Sequence, residues 1–182
     1  MDIKCLVEKQ REFFYTDYTK DVDHRLNVLK NIKDWMIRHE DLIIEALKKD
    51  LNKHQTESYM CEIGMVLSEL NYQIKHIKKW SKKKRVRTPI AQFYGYSYKT
   101  YEPYGVTLVM SPWNYPFMLS MEPAIGAIGA GNTVIIKPSA YAPHVSHVIY
   151  QMIKESCDEQ YVAVVEGGRN ENTELLEQRF DY

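Results

Sequence analysis

Pro103-Tyr104-Gly105-Val106-Thr107-Leu108-Val109-Met110-Ser111-Pro112-Trp113-Asn114-Tyr115-Pro116-Phe117, followed by Thr133-Val134-Ile135-Ile136-Lys137-Pro138-Ser139, decides the reading of this chain. Each stretch is a short, β-branched apolar run that ends abruptly at a proline turn, as a strand buried on both faces does. Between them Gly126, Gly129 and Gly131 punctuate an apolar segment of helical length. Small residues there permit a helix to pack closely on a sheet, and Gly131 suits the left-handed residue that ends a helix.

Downstream the alternation continues. Strands are expected at 106–110, 134–137 and 161–165, with helices at 116–130, 143–155 and 171–179. Strands and helices alternating through short loops imply a parallel sheet covered on both faces, here half of a dinucleotide-binding domain. Gly167 and Gly168 follow the third strand, but the order is not Gly-x-Gly-x-x-Gly after a strand, so no dinucleotide fingerprint is read from the glycines alone.

Upstream the pattern is helical. Leu6, Val7, Phe13 and Phe14 share a side of 3–15, and Val22, Leu26, Leu29 and Ile32 recur at helical spacing behind a capping Asp21. A third helix is expected at 41–51. A long fourth follows Gln55 and Thr56 and is expected to run until Thr88-Pro89, because proline disfavours helical geometry in the residue before it. From 92 to 102 tyrosines alternate with period two, the mark of an extended strand or hairpin. Cross-strand packing explains such a ladder more simply than a binding platform does. The expected organisation is a helical segment at 1–87, an extended aromatic arm at 88–102 and an α/β segment at 103–182.

The composition, with 45% hydrophobic and 26% charged residues, is that of a soluble globular protein. No apolar run approaches the ~20 residues of a spanning helix, and the N-terminus lacks the basic start and apolar core of a signal peptide. A cytoplasmic location without membrane association is expected. Cys5, Cys61 and Cys157 are odd in number and widely separated, which argues against a disulfide framework or a paired-cysteine metal site. His144 and His147 have no carboxylate or cysteine nearby in sequence that completes a metal pattern, and no metal is expected. Net charge is zero, yet residues 1–91 carry 19 Lys and Arg against 14 acids and residues 92–182 carry 5 against 10. Most of the asymmetry lies between Lys75 and Arg87. Nucleic-acid binding is the sharp reading of that run. The plainer one, adopted here, is a solvated helix end whose cations suit the helix dipole.

The Pro-Trp-Asn turn, the glycine-punctuated helix and the Lys-Pro-Ser strand end, in that order and spacing, resemble the aldehyde dehydrogenase superfamily. The Pro-Trp-Asn-Tyr-Pro-Phe form is closest to its shorter, class 3-like branch, and the resemblance covers nearly the whole chain. It implies that an aldehyde is oxidised to a carboxylate: a cysteine thiolate attacks the aldehyde, and the thiohemiacetal gives hydride to NAD or NADP. It also implies that the nucleophile, the general-base glutamate and the Gly-Ser phosphate loop lie beyond Tyr182. This chain is therefore expected to be an N-terminal portion, inactive by itself and binding the cofactor weakly or not at all.

The resemblance further implies that Asn114 helps stabilise the oxyanion, a task that suits a neutral amide donor. The alternative is that Asn114 caps the following helix. Lys137 is implied to bind the adenosine ribose, where an isolated strand-end lysine is usually a solvated charge. Ser111, Pro112, Trp113, Ser139 and Gly168 complete the implied cofactor-binding set, Gly168 passing near the adenine. Many NAD-preferring relatives have a glutamate where this chain has Ala140, so both cofactors remain open. In relatives the 88–102 region is an arm near a subunit interface, which implies a homo-oligomer. The runner-up reading is a naturally truncated nucleotide-binding or protein-interaction module. An open reading frame continuing past Tyr182 through a Gly-Ser loop and a cysteine separates the two.

Overall fold

A computed structural model describes residues 2–182. The N-terminal helices are α1 (Ile3–Tyr15), α2 (Val22–Arg38) and α3 (Glu40–Leu51). After them the chain enters α4 (Gln55–Ser58), passes through a π-helical turn (Tyr59–Ile63) and continues as α5 (Gly64–Trp80). Asp2 and Asp21 cap α1 and α2 through their side chains, accepting from Cys5 N and Asp23 N.

The fourth helix ends at Trp80, well before the expected proline. Lys84–Val86 instead forms β1, which pairs antiparallel with β2 (Ser97–Lys99) in the register Lys84↔Lys99. A hairpin that recruits the basic run explains the early stop. Arg85 stacks on the Tyr96 ring at 4.5 Å, and Lys84 and Lys99 both approach Tyr101. The aromatic ladder is correspondingly shorter than its alternation implied. Ile90–Gln92 is a 3₁₀ turn, and Tyr94 takes a left-handed φ of 75°.

The α/β segment comprises β3 (Val106–Met110), α6 (Met118–Ala130), β4 (Thr133–Lys137), α7 (Pro143–Ser156), β5 (Val162–Val164) and α8 (Arg169–Leu176). The strands form a parallel sheet in the order β3-β4-β5. Alternate residues of β4 face opposite layers. Val134 and Ile136 join the larger core with α2, α3, α5, α6 and α7, while Ile135 joins Ile3, Leu6, Val7, Ala163, Val165 and Leu175 from α1, β5 and α8. Both faces are thus covered as the alternation required, but α1 from the far N-terminus supplies much of the second cover. The fully buried Gln10 fastens it there by donating to Val134 O and Glu159 O, each at 3.1 Å.

The free edge of β3 is not bare. Asp181 N donates to Val106 O at 2.9 Å and Leu108 N to Tyr182 O at 3.0 Å, so the last two residues begin to pair on the side of β3 opposite β4. Gly105 makes this return possible. Its φ of +142° is unfavourable for a residue with a side chain, and a Cβ there would collide with the Asp181 carboxylate. That carboxylate is engaged by Val106 N and Arg11. The chain leaves β3 in one direction toward β4 and β5 and comes back on the other, which makes the carboxyl end of β3 a point where strand order reverses. Such points form ligand crevices in open α/β sheets.

Candidate active site at the carboxyl rim of the sheet

The residues singled out from the sequence lie on one rim. Ser111, Pro112, Trp113 and Asn114 leave the end of β3, Lys137 and Ser139 the end of β4, and Gly168 the loop after β5. Hydrogen bonds join the three strand ends. Ser111 N donates to Lys137 O at 3.2 Å, and Lys137 Nζ donates to Gly167 O at 2.7 Å and Pro138 O at 2.8 Å.

Asn114 and Trp113 are exposed on the turn, while Pro116 and Phe117 behind them are buried. Helix α6 starts at Met118 with Phe117 in the capping position, and no side chain of the turn caps it. The Asn114 carboxamide makes no hydrogen bond among the described residues. Its main-chain carbonyl accepts from Lys53 Nζ at 3.1 Å. The capping alternative for Asn114 therefore has no geometric support. That duty falls to Glu62, whose Oε2 accepts from Phe117 N at 2.8 Å and Met118 N at 3.2 Å. Neither Lys53 nor Glu62 was singled out from the sequence. Glu62 carried a faint signal, since it sits among Tyr59, Ile63 and Val66 on the apolar stripe of its helix. Lys53, in a turn after a left-handed Asn52, carried none.

Lys137 is almost wholly buried, not a solvated charge. Burial pushes its ammonium below the ordinary lysine range, countered in part by Glu171 and Glu166. Two of its three donors are occupied by backbone carbonyls, leaving one for another acceptor. Ser139 Oγ accepts from Tyr141 N at 3.2 Å, and Gly168 N donates to Glu171 Oε2 at 2.6 Å. Gly167 has a φ of +132° and no room for a Cβ beside the Glu171 carboxylate.

One feature recurs at every helix that follows a sheet strand. The N-terminal amides of α6 are taken by Glu62 and those of α7 by Asp50, which accepts from Val145 N at 2.8 Å and His144 N at 3.3 Å, while Glu171 accepts from Gly168 N just before α8. Helix N-termini are the usual anion seats of such folds. Here a protein carboxylate stands at each, closing the starts of α6 and α7 and leaving the Arg169 and Asn170 amides of α8 without a carboxylate partner among the described residues.

In space, each histidine of the 144–147 pair has a carboxylate from elsewhere in the chain. His144 Nδ1 lies 2.6 Å from Asp50, and His147 Nδ1 lies 3.5 Å from Glu166. Each is a pair only, and no cluster of three potential metal ligands occurs among the described residues. The glycine cluster also differs in detail. Gly131 ends α6 at φ 96° as expected, but Gly129 accommodates Gln73 of the neighbouring α5, not the sheet, and Gly126 faces open space. Burial raises the Cys157 thiol to about 12. Cys5 is exposed on α1, and Cys61 is half-buried. A groove of about 1060 Å³ runs along β3 and α6 past Val22, Gln73, Trp80, Thr107 and Tyr182, away from Asn114 and Lys137. No helix of the described residues is long and apolar enough to cross a membrane.

Similarity to known proteins extends over nearly the whole chain. Residues 1–180 match the model of the aldehyde dehydrogenase family. The chain is 45% identical over 172 residues to the 4,4'-diaponeurosporen-aldehyde dehydrogenase of Staphylococcus aureus, covering 94% of this chain and 38% of that protein. It is 40% identical to the chloroplastic aldehyde dehydrogenase family 3 member I1 of Arabidopsis thaliana, covering 97% of this chain and 32% of the relative. A solved structure of Staphylococcus aureus AldH in a substrate-bound state superposes with a TM-score of 0.95 at 43% identity, over 99% of this chain and 39% of the other. The chain thus spans about a third to two-fifths of the length of these relatives, and it belongs to the aldehyde dehydrogenase family, on its class 3-like branch.

Proposed function

We propose that these residues form part of an NAD(P)-dependent aldehyde dehydrogenase, with Asn114 as the oxyanion donor and Lys137, Ser139 and Gly168 on the adenosine side of the cofactor. Ser111, Pro112 and Trp113 shape the turn between them. The observation that carries the reading is the Asn114 carboxamide itself, presented from the strand-reversal point with its main chain fixed and no capping role. A fixed amide N–H stabilises negative charge developing on a substrate oxygen without offering an acidic proton, and it needs no reorganisation as the charge appears. When bound, the nicotinamide supplies the hydride acceptor. Lys137, with one donor uncommitted, is suited to a ribose hydroxyl.

The thiolate and general base come from residues outside these 182. The Cys157 thiol is raised too far to ionise near neutral pH, and Cys5 on α1 and Cys61 in the π-helical turn are not among the residues of the strand-end rim. Ala140 offers no carboxylate to repel a 2′-phosphate, so NAD and NADP are both accommodated. In the proposed organisation 1–87 is the helical cover, 103–182 bears the rim, and 88–102, with its exposed Phe93, Tyr94 and Tyr96, is an arm for homo-oligomer contacts in a cytoplasmic enzyme.

The test is aldehyde-dependent reduction of NAD and NADP by the 182-residue chain and by its complete open reading frame. The short chain should show no turnover. In the complete protein Asn114→Ala should lower the rate roughly 10²–10³-fold. An unchanged rate, or turnover by the short chain that Cys157→Ala abolishes, would overturn the assignment.

A further inference from the structure

Lys53 and Glu62 form the ion pair buried beneath the Asn114 turn, with side-chain exposures of 8% and 0%. Their polar groups converge on one short segment. Lys53 Nζ donates to Glu62 Oε1 and to Asn114 O, and lies 4.1 Å from the centre of the Tyr115 ring. Glu62 Oε2 holds Phe117 N and Met118 N. Two side chains from the helical segment thus hold residues 114, 115, 117 and 118 of the α/β segment.

Stability alone is a poor reason for such an arrangement, because replacing a buried ion pair by apolar residues is often neutral or stabilising. Local geometry suggests another purpose. Glu62 lies in the π-helical turn Tyr59–Ile63, and single-turn π segments inside α-helices are frequent at functional sites. The extra residue shifts the helical register where Glu62 must reach the start of α6. On the other side, the left-handed Asn52 ends α3 and turns the chain into Lys53. Both deviations from regular helix serve the same pair.

We propose that Lys53 and Glu62 are positioning residues that set the orientation of the Asn114 carboxamide, Lys53 by fixing the Asn114 peptide plane and Glu62 by fixing where α6 begins. This rests on the reading of Asn114 as the oxyanion donor. The pair acts through that residue and does not itself touch the reacting atoms.

The informative variant is the double substitution Lys53→Met/Glu62→Met. It removes both charges together, so no uncompensated charge is left inside, and it takes away the donor to Asn114 O and the acceptor of Phe117 N and Met118 N. On the 182-residue chain, ¹⁵N relaxation should show amide order parameters at residues 113–115 falling from about 0.85 to below about 0.6. Exchange of the Phe117 and Met118 amides should quicken more than tenfold while that of Ile135 and Ile149 changes less than twofold. A rigid, unchanged turn would overturn the proposal, as would uniform acceleration at all four amides, the sign of a pair that only stabilises the fold. The complete reading frame supplies a second arm. There the double variant should lower kcat by about 10–100-fold with KM nearly unchanged, and should cost nothing further in an Asn114→Ala background. If Asn114→Ala slows the enzyme and the double variant does not, the positioning role fails alone. If Asn114→Ala is without effect, the reading of Asn114 as donor fails, and relaxation still decides whether the pair orders the turn.

Discussion

Replacing Asp50 by alanine should destabilise the chain by about 2–3 kcal/mol, although Asp50 lies on α3, far in sequence from the helix it supports. Helix α7 begins at Pro143 behind Ala142, which has no side chain able to cap it. Asp50, its side chain 2% exposed, accepts instead from Val145 N at 2.8 Å and more loosely from His144 N at 3.3 Å. The short bond is charge-assisted and worth about 1.5–3 kcal/mol when its buried acceptor is removed. The longer one adds little. The contact with His144 Nδ1 involves a half-exposed ring and adds at most about 1 kcal/mol. Helix α7 packs against both α2 and α3, so fraying its first turn loosens the larger core as well. For a chain of this length the loss corresponds to a fall in Tm of about 4–12 °C. Urea unfolding followed by circular dichroism measures it directly. Asp50→Asn keeps one acceptor oxygen and should recover roughly half of the loss. A change below about 0.5 kcal/mol in Asp50→Ala, or equal losses in the two variants, would mean that α7 does not depend on a cap from α3.

Thiol labelling should separate the cysteines: Cys5 reacts readily with iodoacetamide at pH 8, while Cys157, raised to about 12, has a thiolate fraction of roughly 10⁻⁴ and stays unlabelled until the fold opens. Equal labelling rates would show that the Cys157 thiol is not raised. The Glu171 carboxyl is held below its ordinary value of 4.5 by its own backbone N–H and that of Gly168. Its contribution to the start of α8 is therefore complete above that value and is lost as pH falls through the lowered one. Amide exchange at Gly168 should rise on acidification across about pH 3–5, and Glu171→Gln should abolish that pH dependence. Calorimetry with NAD and NADP should give at least tenfold weaker affinity for the 182-residue chain than for the complete polypeptide, because charge-assisted pyrophosphate contacts worth about 1.5–3 kcal/mol each are missing. Micromolar affinity of the short chain would point to a self-sufficient nucleotide-binding module.

Much of this was legible in the sequence because period and punctuation are local. The β-branched runs at Val106–Met110 and Thr133–Lys137 end at prolines, and Gly131 stops α6 with a left-handed residue, so the elements and their rim could be read from neighbouring residues. The fourth helix was overextended for a related reason. Its stop at Trp80 is dictated by pairing of Lys84–Val86 with Ser97–Lys99 across a loop, and no helix-breaking residue marks it. Nothing local in the sequence marks Gln10 as the anchor of α1 on the far face of the sheet. Contacts between segments distant in the chain leave little local trace.

The same limit explains what was invisible at the site. A carboxylate that fills a helix N-terminus is readable when it sits in that helix, as Glu171 does, and unreadable when it arrives from elsewhere, as Asp50 and Glu62 do across 95 and 55 residues. Yet these three groups define what the rim can bind. Each satisfies amides that an anion would otherwise occupy, and each adds negative charge near the strand ends. A phosphate approaching α6 or α7 must displace a carboxylate already seated there, and one approaching α8 meets the Glu171 carboxylate beside Gly168 N. The remaining donors are the neutral amide of Asn114 and the partly committed ammonium of Lys137, which suit a carbonyl oxygen and a sugar hydroxyl better than a doubly charged bridge. Under the proposed assignment, the arrangement thus favours the two ends of a dinucleotide over its middle.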